Sequence, residues 1–112
     1  MKKLFFTSLV TMAVVLGMLS TSMAACNAIA CKGYIERLFF SNNNLYIATD
    51  GDETALDCTA PADVYVTIDT NDSMLNQKYA LLLVALSQKK PVTIRIVNGD
   101  PKCAVSYVYM DN

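Results

Sequence analysis

Thr70–Val97, TNDSMLNQKYALLLVALSQKKPVTIRIV, decides the fold, because within it the apolar period changes from that of a helix to that of a strand. Thr70, Asn71, Asp72 and Ser73 open it, and their short polar side chains can accept hydrogen bonds from the free amides of a first helical turn. From Met74 to Lys89 there is no glycine or proline and much leucine and alanine, which predicts a helix of about four turns. Leu75, Tyr79, Leu82 and Leu86 recur at helical spacing and are expected to face a core. Lys89 and Lys90 suit the negative end of the helix dipole, and Pro91 stops the helix. The stripe is wider than one sheet needs. Ala80, Leu83 and Val84 extend it around the helix and are left for a loop, a partner or a neighbouring copy. At Val92 the pattern turns to period two and stays there to Val97.

Working outward, Asn98-Gly99-Asp100-Pro101 is a turn, and Ala104–Met110 (AVSYVYM) is the strand that follows it. Upstream, Gly33–Ser41 (GYIERLFFS) reads as a strand with Tyr34, Glu36, Leu38 and Phe40 on one face and Ile35, Arg37 and Phe39 on the other. Asn42, Asn43 and Asn44 follow, and asparagine tolerates the left-handed conformation of a tight hairpin, so Leu45–Thr49 returns antiparallel. Asp50–Glu53 is a turn, Thr54–Cys58 a short third strand, Ala60-Pro61 a break, and Asp63–Asp69 a fourth strand-like run. The expectation is a mainly β fold with one α-helix between the fourth and fifth strand-like runs: a small OB-fold-like antiparallel barrel. A two-layer α+β sandwich is the alternative.

The first 24 residues, MKKLFFTSLVTMAVVLGMLSTSMA, read as a signal peptide: Lys2 and Lys3, an apolar run from Leu4 to Leu19, and small residues at Ser22 and Ala24. Thr7, Ser8, Thr11 and Gly17 interrupt the run, and a spanning helix wants about 20 predominantly apolar residues. Cleavage after Ala24 leaves a single domain, residues 25–112, secreted or periplasmic and with no membrane span. Met23-Ala24-Ala25-Cys26 is also a loose lipoprotein box, so anchoring through Cys26 is the other course. The same region holds Cys26, Cys31, Cys58 and Cys103, an even set in a short exported chain, which reads as a disulfide framework. Lipidation of Cys26 would strand Cys31. A Cys58–Cys103 bond would tie the barrel across the helix, leaving Cys26 with Cys31.

Loss of Lys2 and Lys3 leaves seven Lys/Arg against ten Asp/Glu, a formal charge of −3, with no basic stripe to neutralise phosphates, so nucleic acid is excluded as a partner. Histidine is absent and no nucleophile signature occurs, so an enzyme is not expected, nor a cofactor or metal. Asp50, Asp52 and Glu53 lack the spacing of a calcium loop and read as a solvated turn.

Asp63–Asn112, with its capped helix, the Lys-Pro-Val strand start and the Tyr-Met-Asp-Asn ending, resembles the C-terminal half of bacterial toxin B subunits of the subtilase-cytotoxin and typhoid-toxin type. More remotely it is similar to the cholera-toxin type. The resemblance implies an exported OB-fold, a pentameric homo-oligomer and a cell-surface glycan as ligand. It carries no sugar-binding residue over, because no counterpart of the serine-centred pocket of that family is found. From the residues themselves, the polar hairpin tip Asn42, Asn43 and Asn44 with Tyr46 is the candidate ligand site. Tyr34, Tyr65, Tyr79, Tyr107 and Tyr109 are equally able to fill half-buried strand positions. The other expectations are a stand-alone OB domain for a small ligand or a protein, and an envelope lipoprotein.

Overall fold

A computed structural model describes residues 24–111. All but the last residue of the expected signal peptide lies outside the described residues. The elements are β1 (Ala25–Cys26), β2 (Ala30–Gly33), β3 (Ile35–Ser41), β4 (Asn44–Thr49), β5 (Val66–Asp69), the helix α1 (Leu75–Gln88), β6 (Val92–Ile96) and β7 (Val105–Tyr109). They form a four-stranded sheet in the order β1-β2-β6-β7 and a three-stranded sheet, β3-β4-β5, with all strand pairs antiparallel.

The sheets meet on two sides. β2 and β3 are successive parts of one extended stretch that bends at Tyr34, and Thr67 in β5 makes a parallel bridge to Ala104, just ahead of β7. The strands therefore run β2-β6-β7, then β5-β4-β3 and back into β2, with α1 between β5 and β6, which is the barrel-like arrangement of an OB-fold. Period-two alternation fills the interior with Leu45 and Ile47, Val66 and Ile68, and Val92, Ile94 and Ile96, all buried.

Two β-bulges reset that alternation. Between Ile35 and Arg37 the register shifts, so Ile35 points inward, Arg37 and Phe39 outward, and Leu38 and Phe40 toward the helix. The Ile35, Arg37 and Phe39 face expected from simple alternation is thus split at Glu36. In β7 the shift opposite Arg95/Ile96 absorbs Ser106, so Val105 is buried while Tyr107 and Tyr109 turn out to solvent.

The expected strand Thr54–Cys58 is absent. Glu53–Ala55 is a short 3-10 turn, because Asp52 caps it by accepting from the Thr54 amide and Glu53 turns inward. Asp63–Asp69 is a strand only from Val66; Pro61–Asp63 forms a second 3-10 turn, with Ala62 and Asp63 left-handed. β1 and β2 were not expected, since their short, mixed composition lacks a period. In the helix, Leu82 and Ala85 are buried and Leu75, Tyr79 and Leu81 pack against the core, whereas Leu86 is exposed: the inward position on the last turn follows the three-residue step to Ala85. The N-cap position is Met74, which makes no side-chain cap hydrogen bond, so the expected polar cap is not formed; Asp72 instead orders the turn ahead of the helix, its Oδ1 accepting from the Met74 amide at 2.7 Å.

Cys58 is bonded to Cys103 and Cys26 to Cys31, with Cα separations of 5.0 and 4.0 Å. The first bridge ties the Asp50–Tyr65 connection to the loop entering β7. The second staples β1 to β2, where Cys26 and Cys31 are cross-strand partners.

Candidate functional site

The outward face of the β3-β4-β5 sheet gathers aromatic rings. Phe39 and Tyr46 are cross-strand partners whose rings stack with centroids 5.0 Å apart and planes 10° from parallel. Tyr65, just before β5, meets Phe39 edge-on at 5.3 Å and Tyr46 at 5.7 Å. Offset and edge-to-face contacts of this kind are worth about 0.5–1.5 kcal/mol beyond burial, so the rings hold one another in place. The Tyr65 hydroxyl accepts from Arg37 Nη1 at 2.9 Å, which lays the guanidinium along the rim of the cluster.

Next to these rings a cavity of about 310 Å³ is lined by residues that include Glu36, Arg37, Thr49, Glu53, Val64 and Tyr65. Glu53 forms its floor and is only 2% exposed. Its Oε1 accepts from the Thr49 amide and the Thr49 hydroxyl, both at 2.8 Å, which fixes the carboxylate without a cation. The cavity therefore presents the Tyr65 ring, a guanidinium with free N–H groups, and the carboxylates of Glu36 and Glu53, with the Phe39–Tyr46 stack beside it. That set can donate to and accept from hydroxyl groups while an apolar face lies on a ring.

The expected site residues are dispersed around this feature. Tyr46 belongs to it. Asn42 and Asn43 form the exposed hairpin tip, both left-handed at φ 48° and 62°. Asn44 is buried as the first residue of β4, and its Nδ2 donates to the Asn42 carbonyl at 3.1 Å, so it serves the turn. Ala80, Leu83 and Val84 lie exposed on the outer face of α1. Arg37, Glu53 and Tyr65 are the site residues that sequence reading did not single out. The acidic turn is spent on structure: Asp50 Oδ1 accepts from the Tyr34 amide, Asp52 caps the 3-10 turn, and Glu53 holds Thr49. Hydrogen bonding from the Thr54 hydroxyl, then its amide, holds the Asp52 carboxyl below its ordinary value.

A larger cavity, about 520 Å³, lies between the C-terminal end of α1 and the β2–β3 bend and is lined by Tyr34, Ile35, Ala85, Leu86 and Lys89. It is mostly apolar and lacks converging polar groups, so size alone does not make it the better candidate. Compared with protein-family models, curated proteins and solved structures, the chain matches none. The site rests on its own geometry.

Proposed function

We propose that this protein is an exported, non-enzymatic binding module that takes a cell-surface glycan on the outward face of β3-β4-β5. The observation that carries the reading is the Phe39–Tyr46–Tyr65 cluster beside a cavity floored by Glu53 and rimmed by Arg37. A pyranose has one face of C–H groups that lies against the negative face of an aromatic ring, and hydroxyls around its edge that need fixed donors and acceptors. The disulfides support a secreted or periplasmic address, since such bonds persist in oxidising compartments. Anchoring through Cys26 is disfavoured, because a sulfur bonded to Cys31 is not free to carry lipid.

Assembly belongs to the same reading. Leu83 and Val84, 37% and 43% exposed, lie with Ala80 on a helix face that carries no charge, and a neighbouring copy is the natural cover for it; a pentamer is the toxin-like form. The purified protein is expected to elute as a ring-sized oligomer and Val84→Asp as a monomer.

The experiment is a glycan array probed with the folded parent, Tyr65→Ala, Tyr46→Ala and Asn43→Ala. The parent should bind a defined glycan set, both tyrosine variants should lose it, and Asn43→Ala should retain most of it. Binding by the parent that survives both tyrosine changes moves the site elsewhere. An array with no signal hands the function to the second reading, a stand-alone OB domain for a small ligand, which the apolar cavity at the helix end favours.

A further inference from the structure

We propose that the outward face of the β1-β2-β6-β7 sheet is a second binding site, one that takes the anionic groups of a sulfated polysaccharide. The register places two rows of side chains on that face: Lys32, Thr93 and Tyr109 in one, and Ala30, Arg95 and Tyr107 in the next. The bulge at Ser106 is what turns both tyrosines to this side. Their rings stand 6.2 Å apart at 25°, forming a continuous ribbon along the edge strand. Between the ribbon and β1 runs a groove of about 320 Å³, and no carboxylate lines it.

Lys32 and Arg95 are both without an ion-pair partner, since the one salt bridge among the described residues joins Lys78 to Asp72. They stand on neighbouring strands and neighbouring rows, a diagonal pair whose side chains leave the sheet roughly 7–8 Å apart. One small carboxylate is held best by a guanidinium fork in a closed pocket. Two separated cations on an open face, flanked by ring surface and the Thr93 hydroxyl, instead suit a linear chain that brings an anion on successive units. Asn27 adds amide donors, because its Oδ1 is already engaged by the Ile29 and Ala30 amides at 2.9 Å. The chain from Ala25 onward has a formal charge of −3, so general attraction does not draw polyanions to it, and any affinity must be local.

This site shares no residue with the Glu53 cavity and stands or falls separately from the glycan reading. The test measures binding of a size-defined heparin oligosaccharide, its desulfated counterpart and a sialyl oligosaccharide, which carries one carboxylate. The folded parent is compared with Lys32→Ala, Arg95→Ala, Tyr107→Ala and Tyr65→Ala. The parent is expected to bind the sulfated probe far better than the other two. Lys32→Ala and Arg95→Ala should each weaken it about tenfold, as loss of a charged hydrogen bond does. Lys32→Ala should also flatten the salt dependence, Tyr107→Ala should weaken binding, and Tyr65→Ala should leave it unchanged. These positions lie on the outward face, and near-UV circular dichroism confirms that each variant is folded. No binding of the sulfated probe, equal binding by the Lys32 and Arg95 variants, a preference for the sialyl probe, or loss in Tyr65→Ala overturns the proposal.

Discussion

The Ile35–Thr49 hairpin and the Asp50–Tyr65 connection follow one another in the chain and are held by opposite means. The hairpin is held by its own neighbours: Asn42 and Asn43 supply the left-handed turn, and β3 pairs with β4 from Ser41↔Asn44 to Ile35↔Thr49. The connection has only two 3-10 turns of its own and is anchored to distant segments. The Asp57 amide donates to the Ala28 carbonyl at 2.8 Å, the Thr59 amide to the Asp100 carbonyl at 3.0 Å, and Cys58 is bonded to Cys103. Close packing completes the anchoring. A Cβ on Gly51 would stand 2.8 Å from Cys26 Sγ, and one on Gly33 would fall on the Asp50 carboxylate. The candidate site lies where the two regions meet: the regular hairpin gives Phe39, Tyr46 and one wall of the cavity through Glu36, Arg37 and Thr49, and the irregular connection, free of a ladder, gives Tyr65, Val64 and the floor at Glu53.

The strongest way to break this contrast is to release the connection. Replacing Cys58 and Cys103 by serine removes a long loop closure, and the chain-entropy relation gives a loss of about 4 kcal/mol. The short Cys26–Cys31 loop gives about 2 kcal/mol by the same relation. Thermal unfolding of the two double variants should therefore rank them in that order. Equal losses would mean that the connection is not held from a distance.

Within the connection, Glu53→Ala should cost about 2 kcal/mol, the worth of hydrogen bonds to a charged group, because both Thr49 donors lose their acceptor. Glu53→Gln keeps one acceptor oxygen and should recover part of it. Chemical denaturation resolves the two. A Glu53→Ala variant as stable as the parent would show that the carboxylate is kept for ligand alone.

The hairpin is challenged by its turn. Asn43→Ala places a Cβ residue without a compensating side chain at φ 62° and should cost about 1 kcal/mol, while Asn43→Gly should be neutral or stabilising. In the connection, Ala62 already sits at φ 52°, so Ala62→Gly relieves strain and should stabilise by roughly 0.5 kcal/mol after the entropy of glycine is counted. Denaturation midpoints measure both, and a stabilising Asn43→Ala would deny that the turn sets the hairpin.

The same contrast explains how much was legible in the sequence. The hairpin, the helix, β6 and β7 were readable because their signals lie within a few residues: paired asparagines, a run without glycine or proline, period two. Thr54–Cys58 misled because its short apolar and β-branched run is what a strand shows, while what decided against it, the Asp52 cap and the Cys58 bridge, depends on geometry and on a partner in the loop entering β7. The bulges at Glu36 and Ser106 carry no signature of their own and still determine which side Arg37, Phe39, Tyr107 and Tyr109 occupy. The place of Tyr46 beside the hairpin turn was therefore legible, whereas Glu53 and Arg37 were visible only as a turn acid and a strand cation, with nothing local to bring them together.

Acid acts on the connection through Asp52. The Thr54 hydroxyl and amide bind the ionised Asp52 and depress its folded pKa below the ordinary 3.8, while in the unfolded chain that bond is lost. A depressed carboxyl stabilises the fold above the ordinary value, and its contribution fades as pH falls from about 3.8 through the folded value. Thr54→Ala removes the hydroxyl, the larger cause, so the acid limb of its stability profile should be shallower than the parent's. Asp72, depressed mainly by its bond to Lys78, lies outside the connection and serves as the reference: its contribution fades in the same direction and should persist in Thr54→Ala. Because Asp52 is exposed, the change should be small and should show as slope below pH 3.8 rather than as a shift in stability at neutral pH. A parallel acid limb in parent and variant would assign the Asp52 cap to geometry alone and leave the 3-10 turn to be set by Glu53.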